Sequence, residues 1–319
     1  MKIYKFIIIL IAVVLVSCTK EVDFTGTQSD PLLVVNGLQQ VGQPARLQIE
    51  KSTFFLDDQP DCRVKDLHVD LYVNGVFEES LQVRDSMEME NYIIWSDTGE
   101  LYVERLRYAF NYCESNYILN DNDEVRFEVS SSEFETAIAE VSMPKLPQVI
   151  SFDTVRVESM NEYELKIRLA LKLDDPSGSD YYNLYPQGAM SGFHSSDPVF
   201  ADLTAFEDIE DIFGENLYYG YGQYNMFSDR FFDGSQYSLS MEVDYYGDMI
   251  YEPFISEVSR VDAGFYQYMK SYQAYSNSDP DSMIGMFTEP VQVYSNVKNA
   301  IGVVGAQSRP VTVTIEPWQ

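Results

Sequence analysis

Histidine is almost missing from this chain of 319 residues, which contains only His68 and His194. That count excludes a histidine-rich metal site. His68 stands off the apolar side of an alternating stretch, where a solvated histidine is the ordinary outcome. His194 lies in GFHSSDP without a nucleophile and acid in a triad-like arrangement around it. The chain also lacks H-E-x-x-H, C-x-x-C, a phosphate-binding loop and G-x-S-x-G. Two S-x-x-K matches, Ser142 to Lys145 and Ser295 to Lys298, are read as chance. The first contains Pro144 at the end of a strand, so serine and lysine cannot sit one helical turn apart. No acid–base set can be named, and an enzyme is the least favoured reading.

Positive charge is scarce. Lys and Arg total 21 against 51 Asp and Glu, a formal charge of −30. Such a surface repels nucleic acid and anionic lipid headgroups, so nucleic-acid binding is not expected. The charge does not signal disorder, because 45% of the residues are hydrophobic and can build a core. No apolar run reaches the roughly 20 residues of a membrane-spanning helix.

The longest apolar run is Phe6 to Val16, FIIILIAVVLV, behind Lys2 and Lys5. Its length and flanks are those of a signal peptide. It ends in Leu15-Val16-Ser17-Cys18, which resembles the lipobox of bacterial lipoproteins. By that resemblance residues 1–17 are removed and Cys18 carries the lipid. Loss of Lys2 and Lys5 takes the formal charge from −30 to −32. Residues 18–30 read as a polar tether. Within it, Lys20-Glu21-Val22-Asp23 resembles the signals that follow the lipid cysteine in surface-exported lipoproteins of the Bacteroidota.

Cysteine is equally sparse, with three in the chain. With Cys18 acylated, Cys62 and Cys113 remain, 51 positions apart. An exported chain meets an oxidising compartment, so a disulfide between them is expected, the alternative being two thiols with one buried.

From Pro31 onward the pattern is β. In 67–83 Leu67, Val69, Leu71 and Val73 alternate with polar positions. Asn74-Gly75 then predicts a type I′ hairpin turn, in which both central residues need positive φ. Alternating strands are predicted over 124–144, and Pro144 and Pro147 close the segment. This predicts a mainly β chain: an N-terminal β-sandwich of immunoglobulin or transthyretin type over 31–147, then a second β-rich domain over 148–319. The second domain contains a long period-2 series from Tyr163 to Leu173 and a strand at 236–246. Val258, Val261, Phe265, Tyr268 and Tyr272 share helical spacing and predict one helix near 257–275, with Ser259 and Asp262 as a capping box.

Several segments in this order carry a family resemblance. DYYNLYP after an Asp-Pro turn, FYQYMKSYQAY, FTEPVQVYSNVKNAIGVVGA, the early LLVVNG and the SMPKLP boundary together resemble the DUF4249 family of Bacteroidota lipoproteins. The likeness covers nearly the whole mature chain. It departs in NVKNAIGVVGA, where Ala300 and Val304 replace the family's usual small and aromatic residues. The resemblance implies an accessory of a TonB-dependent outer-membrane receptor, anchored by its lipid and facing outward. It supplies no catalytic residues and no cofactor. The alternative is a structural or assembly scaffold in an outer-membrane or surface complex.

Two polar features are candidate sites. NDNDE at 120–124 and DDPSGSD at 174–180 space oxygens as calcium loops do, but without the glycine and final glutamate of an EF-hand, and turns are the favoured reading. Tyrosine is concentrated, with fifteen of 24 between 181 and 275. Tyr218, Tyr219, Tyr221 and Tyr224, interleaved with glycine, are candidates for partner or ligand contact, or else for a core rim.

Overall fold

The computed structural model describes residues 30–53, 61–96, 99–161, 164–187, 192–194, 197–200, 225–246, 254–277 and 291–315. The first strands are β1 (Leu33–Gln40), β2 (Pro44–Lys51), β3 (His68–Val73), β4 (Val76–Ser80), β5 (Gln82–Ser96) and β6 (Gly99–Ile118). After them come β7 (Glu124–Ser130), β8 (Ala137–Ser142), β9 (Gln148–Asn161), β10 (Glu164–Asp174), β11 (Tyr181–Gln187) and β12 (Gly192–His194). The rest are β13 (Asn225–Ser228), β14 (Gln236–Tyr246), β15 (Phe254–Val261), helix α1 (Ala263–Asn277), β16 (Val304–Gln307) and β17 (Val311–Ile315).

A nine-stranded sheet in the order β13-β11-β15-β16-β1-β2-β6-β5, with β17 on β15, runs through the molecule. Two four-stranded sheets, β4-β3-β7-β8 and β12-β14-β10-β9, complete it. Strand alternation explains how they pack. Leu33, Val35, Leu47, Ile49 and Cys113 of the large sheet meet Val69, Leu71, Phe127 and Ala139 of the first small sheet in one core. Tyr182, Leu184, Phe227 and Val258 of the large sheet meet Ile167, Leu169, Leu171, Leu239 and Met241 of the second small sheet in another. The neighbouring positions of opposite parity, Leu38, Val261 and Val303, pack instead against Phe265, Tyr266 and Met269 of α1. Both small sheets therefore cover one face of the large sheet, and the helix covers the other.

The predicted mainly β class and its sandwich packing are present. Asn74 and Gly75 have φ of 52° and 77°, the hairpin turn expected between β3 and β4. The expected boundary between 147 and 148 is corrected. Strand β16 pairs in parallel with β1, Gly37 opposite Val304, and Val297, Val304 and Ala306 belong to the first core. Residues 31–319 form one unit. The helix also starts later than predicted. Residues 257–261 belong to β15, which pairs with β11 on one side and β16 and β17 on the other. Val258 and Val261 face opposite sides of that strand, so their helical spacing was coincidental. Asp262 is the cap of α1: its carboxylate accepts from the Gly264 N–H at 2.7 Å and from the Phe265 N–H. The long hairpin of β5 and β6, in register from Gln82–Glu114 to Ser96–Gly99, was not anticipated.

Candidate functional site

Among the described residues, a knot of charge lies where two loops meet at one end of the second sandwich. The first, 175–180, links β10 to β11; the second, 229–235, links β13 to β14. Aspartate, glycine and serine dominate both because these residues accept backbone hydrogen bonds and tolerate turn conformations. In the second loop Phe232 N–H donates to Asp229 O at 2.7 Å and Ser235 N–H to Phe232 O at 2.9 Å, two turns in succession. The loops then clasp each other. Asp229 N–H donates to Asp180 O at 3.0 Å, and Asp180 N–H returns a bond to Asp229 Oδ2 at 2.8 Å. Gly178 N–H donates to Asp233 Oδ1 at 2.9 Å. Asp175 accepts from the Tyr182 hydroxyl and, at 3.0 Å, from Gly234 N–H.

These bonds gather Asp175, Asp229 and Asp233, with one carboxylate oxygen of each within 4.8 Å of the others. Asp175 and Asp229 are buried. Burial, then the charges of Asp175 and Asp233, push the Asp229 carboxyl up to about 6. Arg260 of β15 stands beside the cluster in an ion pair with Asp180, its guanidinium 5.9 Å from the Tyr182 ring centroid. Burial lowers its pKa, opposed by the Asp175 charge. Tyr182, buried and donating to Asp175, is pushed upward by desolvation and then by that bond. The group offers carboxylates and one guanidinium, with no nucleophile among them. Its three carboxylates could hold a cation, supplying three of the six to eight oxygens that calcium takes. Without one, they cross-link the loops through backbone donors.

Of the two acid runs singled out in the sequence, only 174–180 meets further acids in this way. In 120–124 the Asp123 carboxylate is filled by its own fold, accepting from Asn74 Nδ2, the Tyr117 hydroxyl and Asn120 N–H. It is a turn, with Asn122 at φ 64°. His68 is exposed, with Nε2 3.0 Å from Asp70 Oδ1. His194 lies on β12 opposite Glu242. Ser142 Oγ donates to Glu124 Oε2 at 2.6 Å, which accounts for that serine without Lys145. Cys18 and Tyr218, Tyr219, Tyr221 and Tyr224 lie outside the described residues.

The expected Cys62–Cys113 disulfide is corrected: both are buried thiols. Cys62 N–H donates to Ala109 O, which fixes its level on β6. Asp61 bridges in parallel to Ala109, so Cys62 is level with Phe110 and Cys113 sits three residues further along that strand, about 10 Å at the ~3.3 Å rise per strand residue. A disulfide needs Cα atoms within roughly 7 Å. Burial pushes the Cys113 thiol up to about 12 and, with Glu50 adding to it, the Cys62 thiol up to about 11.

Asp229, Asp233 and Arg260 carried no flag in the sequence. Their meeting with Asp175 depends on β11 pairing with both β13 and β15, and DRFFDGS alone reads as one more acidic turn.

Fold and site together define a β-sandwich chain with a polar clasp at a loop end and a helix packed behind the shared sheet. The family model described as "Domain of unknown function (DUF4249)" matches residues 19–311, and the chain belongs to that family. No curated protein matches it.

Proposed function

We propose that the chain is a lipoprotein of the outer membrane, facing the cell exterior, that serves as a non-catalytic accessory of a TonB-dependent uptake system by binding its substrate or its receptor barrel. The observation that carries this reading is the Leu15–Cys18 lipobox with the Lys20–Asp23 stretch behind it, followed at Pro31 by the β-rich unit. A chain fastened at one end by acyl groups is held stably where a single lipid would be marginal. The clustered acids support a recognition scaffold over a catalyst, since their oxygens accept from loop backbone and tyrosine donors. In this reading Tyr218, Tyr219, Tyr221 and Tyr224 contribute contact area to substrate or receptor.

The test combines one substitution with one digestion. Cys18→Ala should release the chain from the membrane fraction, and protease added to intact cells should cleave the lipidated chain. Retention of Cys18→Ala in the membrane would refute the anchor. Full protection from protease would place the chain on the periplasmic side.

A further inference from the structure

The β5–β6 hairpin continues well past the sheet that it edges. Strand β2 pairs with β6 only between Asn111 and Ile118, and Asp61 bridges to Ala109. Beyond the Met87–Ala109 pair, β5 and β6 run on in register with each other to Ser96–Gly99. Among the described residues no third strand joins them there. Ten residues of β6 separate Ala109 from Gly99, so the arm reaches about 30 Å at the strand rise.

A two-stranded ribbon of this kind is marginally stable in water by itself. Its sequence is nonetheless apolar. Tyr92 is in register with Val103, Ile93 with Tyr102 and Ile94 with Leu101. Successive pairs alternate along a ribbon, so these apolar pairs occur at both parities of the register. Among the described residues, strand β5 is also the outermost of the large sheet, which leaves a strand edge able to accept another strand.

The direction of the arm narrows the partner. Leu33 pairs with Lys51, and Ile49 with Asn111, which pairs in turn with Asp85. The end of the sheet at which the chain enters from its N-terminal side is therefore the end from which the arm projects. Cys18 precedes Pro31 by 13 residues, which span at most about 45 Å. An arm of about 30 Å thus emerges from the tethered end of the unit. The bilayer itself is a poor match. Residues 88–107 contain five acids and two arginines, and the sequence Ser96-Asp97-Thr98-Gly99-Glu100 between the two apolar stretches is polar.

From the register, the free edge, the direction and the charge, we infer that the β5–β6 arm is a docking element for a barrel protein embedded in the same membrane, which adds a strand or an apolar, net-basic extramembrane surface to the β5 edge over 88–96. The inference rests on the accessory reading and names how the accessory engages its receptor.

The experiment uses the full lipidated chain in its native membrane. A photoreactive residue is placed at Ile94 or Tyr102, with Val76 on β4, 66% exposed, as the control. In a second chain, residues 90–105 are replaced by Asn-Gly, joining Met89 to its register partner Leu106 through a two-residue turn. Crosslinks from Ile94 and Tyr102 but not Val76 to an integral barrel protein are expected. Loss of the arm should reduce recovery of that barrel at least about tenfold, the scale of a hot-spot deletion. Crosslinks to lipid or to a second copy of the chain would overturn the inference. A barrel that still copurifies with the short-armed chain would overturn it while leaving the accessory reading intact. Recovery of no barrel with either chain would overturn both. Crosslinking from the full-armed chain keeps the test valid if the shortened one misfolds.

Discussion

Asn36 and Val303 are joined across 267 positions: the Asn36 side-chain oxygen accepts from the Val303 N–H at 3.1 Å. The bond sits beside the parallel pairing of β1 with β16 and ties the two ends of the described unit into one sheet. Residues 31–147 expressed alone would lack β16 and with it Val297, Val304 and Ala306 of the first core. That fragment should show no cooperative thermal transition, whereas residues 31–319 should melt as one. A cleanly melting 31–147 fragment would show that the first sandwich is self-sufficient.

Gly302 turns the chain just before β16. Its φ is +118°, and a Cβ there would lie 2.2 Å from the Val35 carbonyl oxygen. Gly302→Ala should cost about 3 kcal/mol, since conformational strain and a backbone clash act together. Gly75 also has positive φ, but open space surrounds it. Gly75→Ala should cost only about 1 kcal/mol. Denaturant melts of the two variants would separate strain from clash, and equal losses would contradict the close approach of 302 to β1.

Folded Asp229 holds its proton up to about pH 6, against an ordinary 3.8. Asp262, half-buried as the cap of α1, is raised to about 6 by the same desolvation. The native state therefore binds more protons than the unfolded chain between those values. The contribution of both groups to stability is full below about pH 4 and is lost as pH rises through about 6. Asp229→Asn keeps an acceptor for the Asp180 N–H and removes the charge facing Asp175 and Asp233. Thermal melts from pH 4 to 7 should show a shallower decline in this variant, with Asp262 supplying the remainder. An unchanged profile would mean that the clasp does not perturb Asp229.

Cys62 and Cys113 should remain thiols in the folded protein. Mass mapping without reductant should find no linked peptide, and dithiothreitol should leave the melting temperature unchanged. Both thiols should react slowly with alkylating reagents at neutral pH, because burial holds them protonated. A Cys62–Cys113 peptide would require β6 and the segment at Cys62 to slip by about 10 Å.

Local chemistry was readable in the sequence, and long-range assembly was not. Asn74-Gly75 gave its turn, and Leu165, Ile167, Leu169, Leu171 and Leu173 gave their strand, because turn residues and period 2 are properties of neighbours. Val258 and Val261 misled because spacings of three and four arise by chance in a valine-rich strand whose two faces are both covered. The parallel pairing of Gly37 with Val304 leaves no local trace, so 147 and 148 looked like a boundary. The clasp was half visible: Asp175 stood in a conspicuous acidic run, while Asp229, Asp233 and Arg260 reach it only through strand pairing. The β5–β6 arm could have been found, since β-branched and aromatic residues flank Asp97-Thr98-Gly99 on both sides.

We propose that this chain works fastened to the outer membrane as the partner of an uptake receptor. It is tested most directly by affinity purification of the lipidated chain from mild detergent, with quantitative mass spectrometry of what accompanies it. A TonB-dependent receptor in near-stoichiometric amount is the expected result. Recovery of outer-membrane assembly factors in place of a receptor, or of the chain alone, would contradict it.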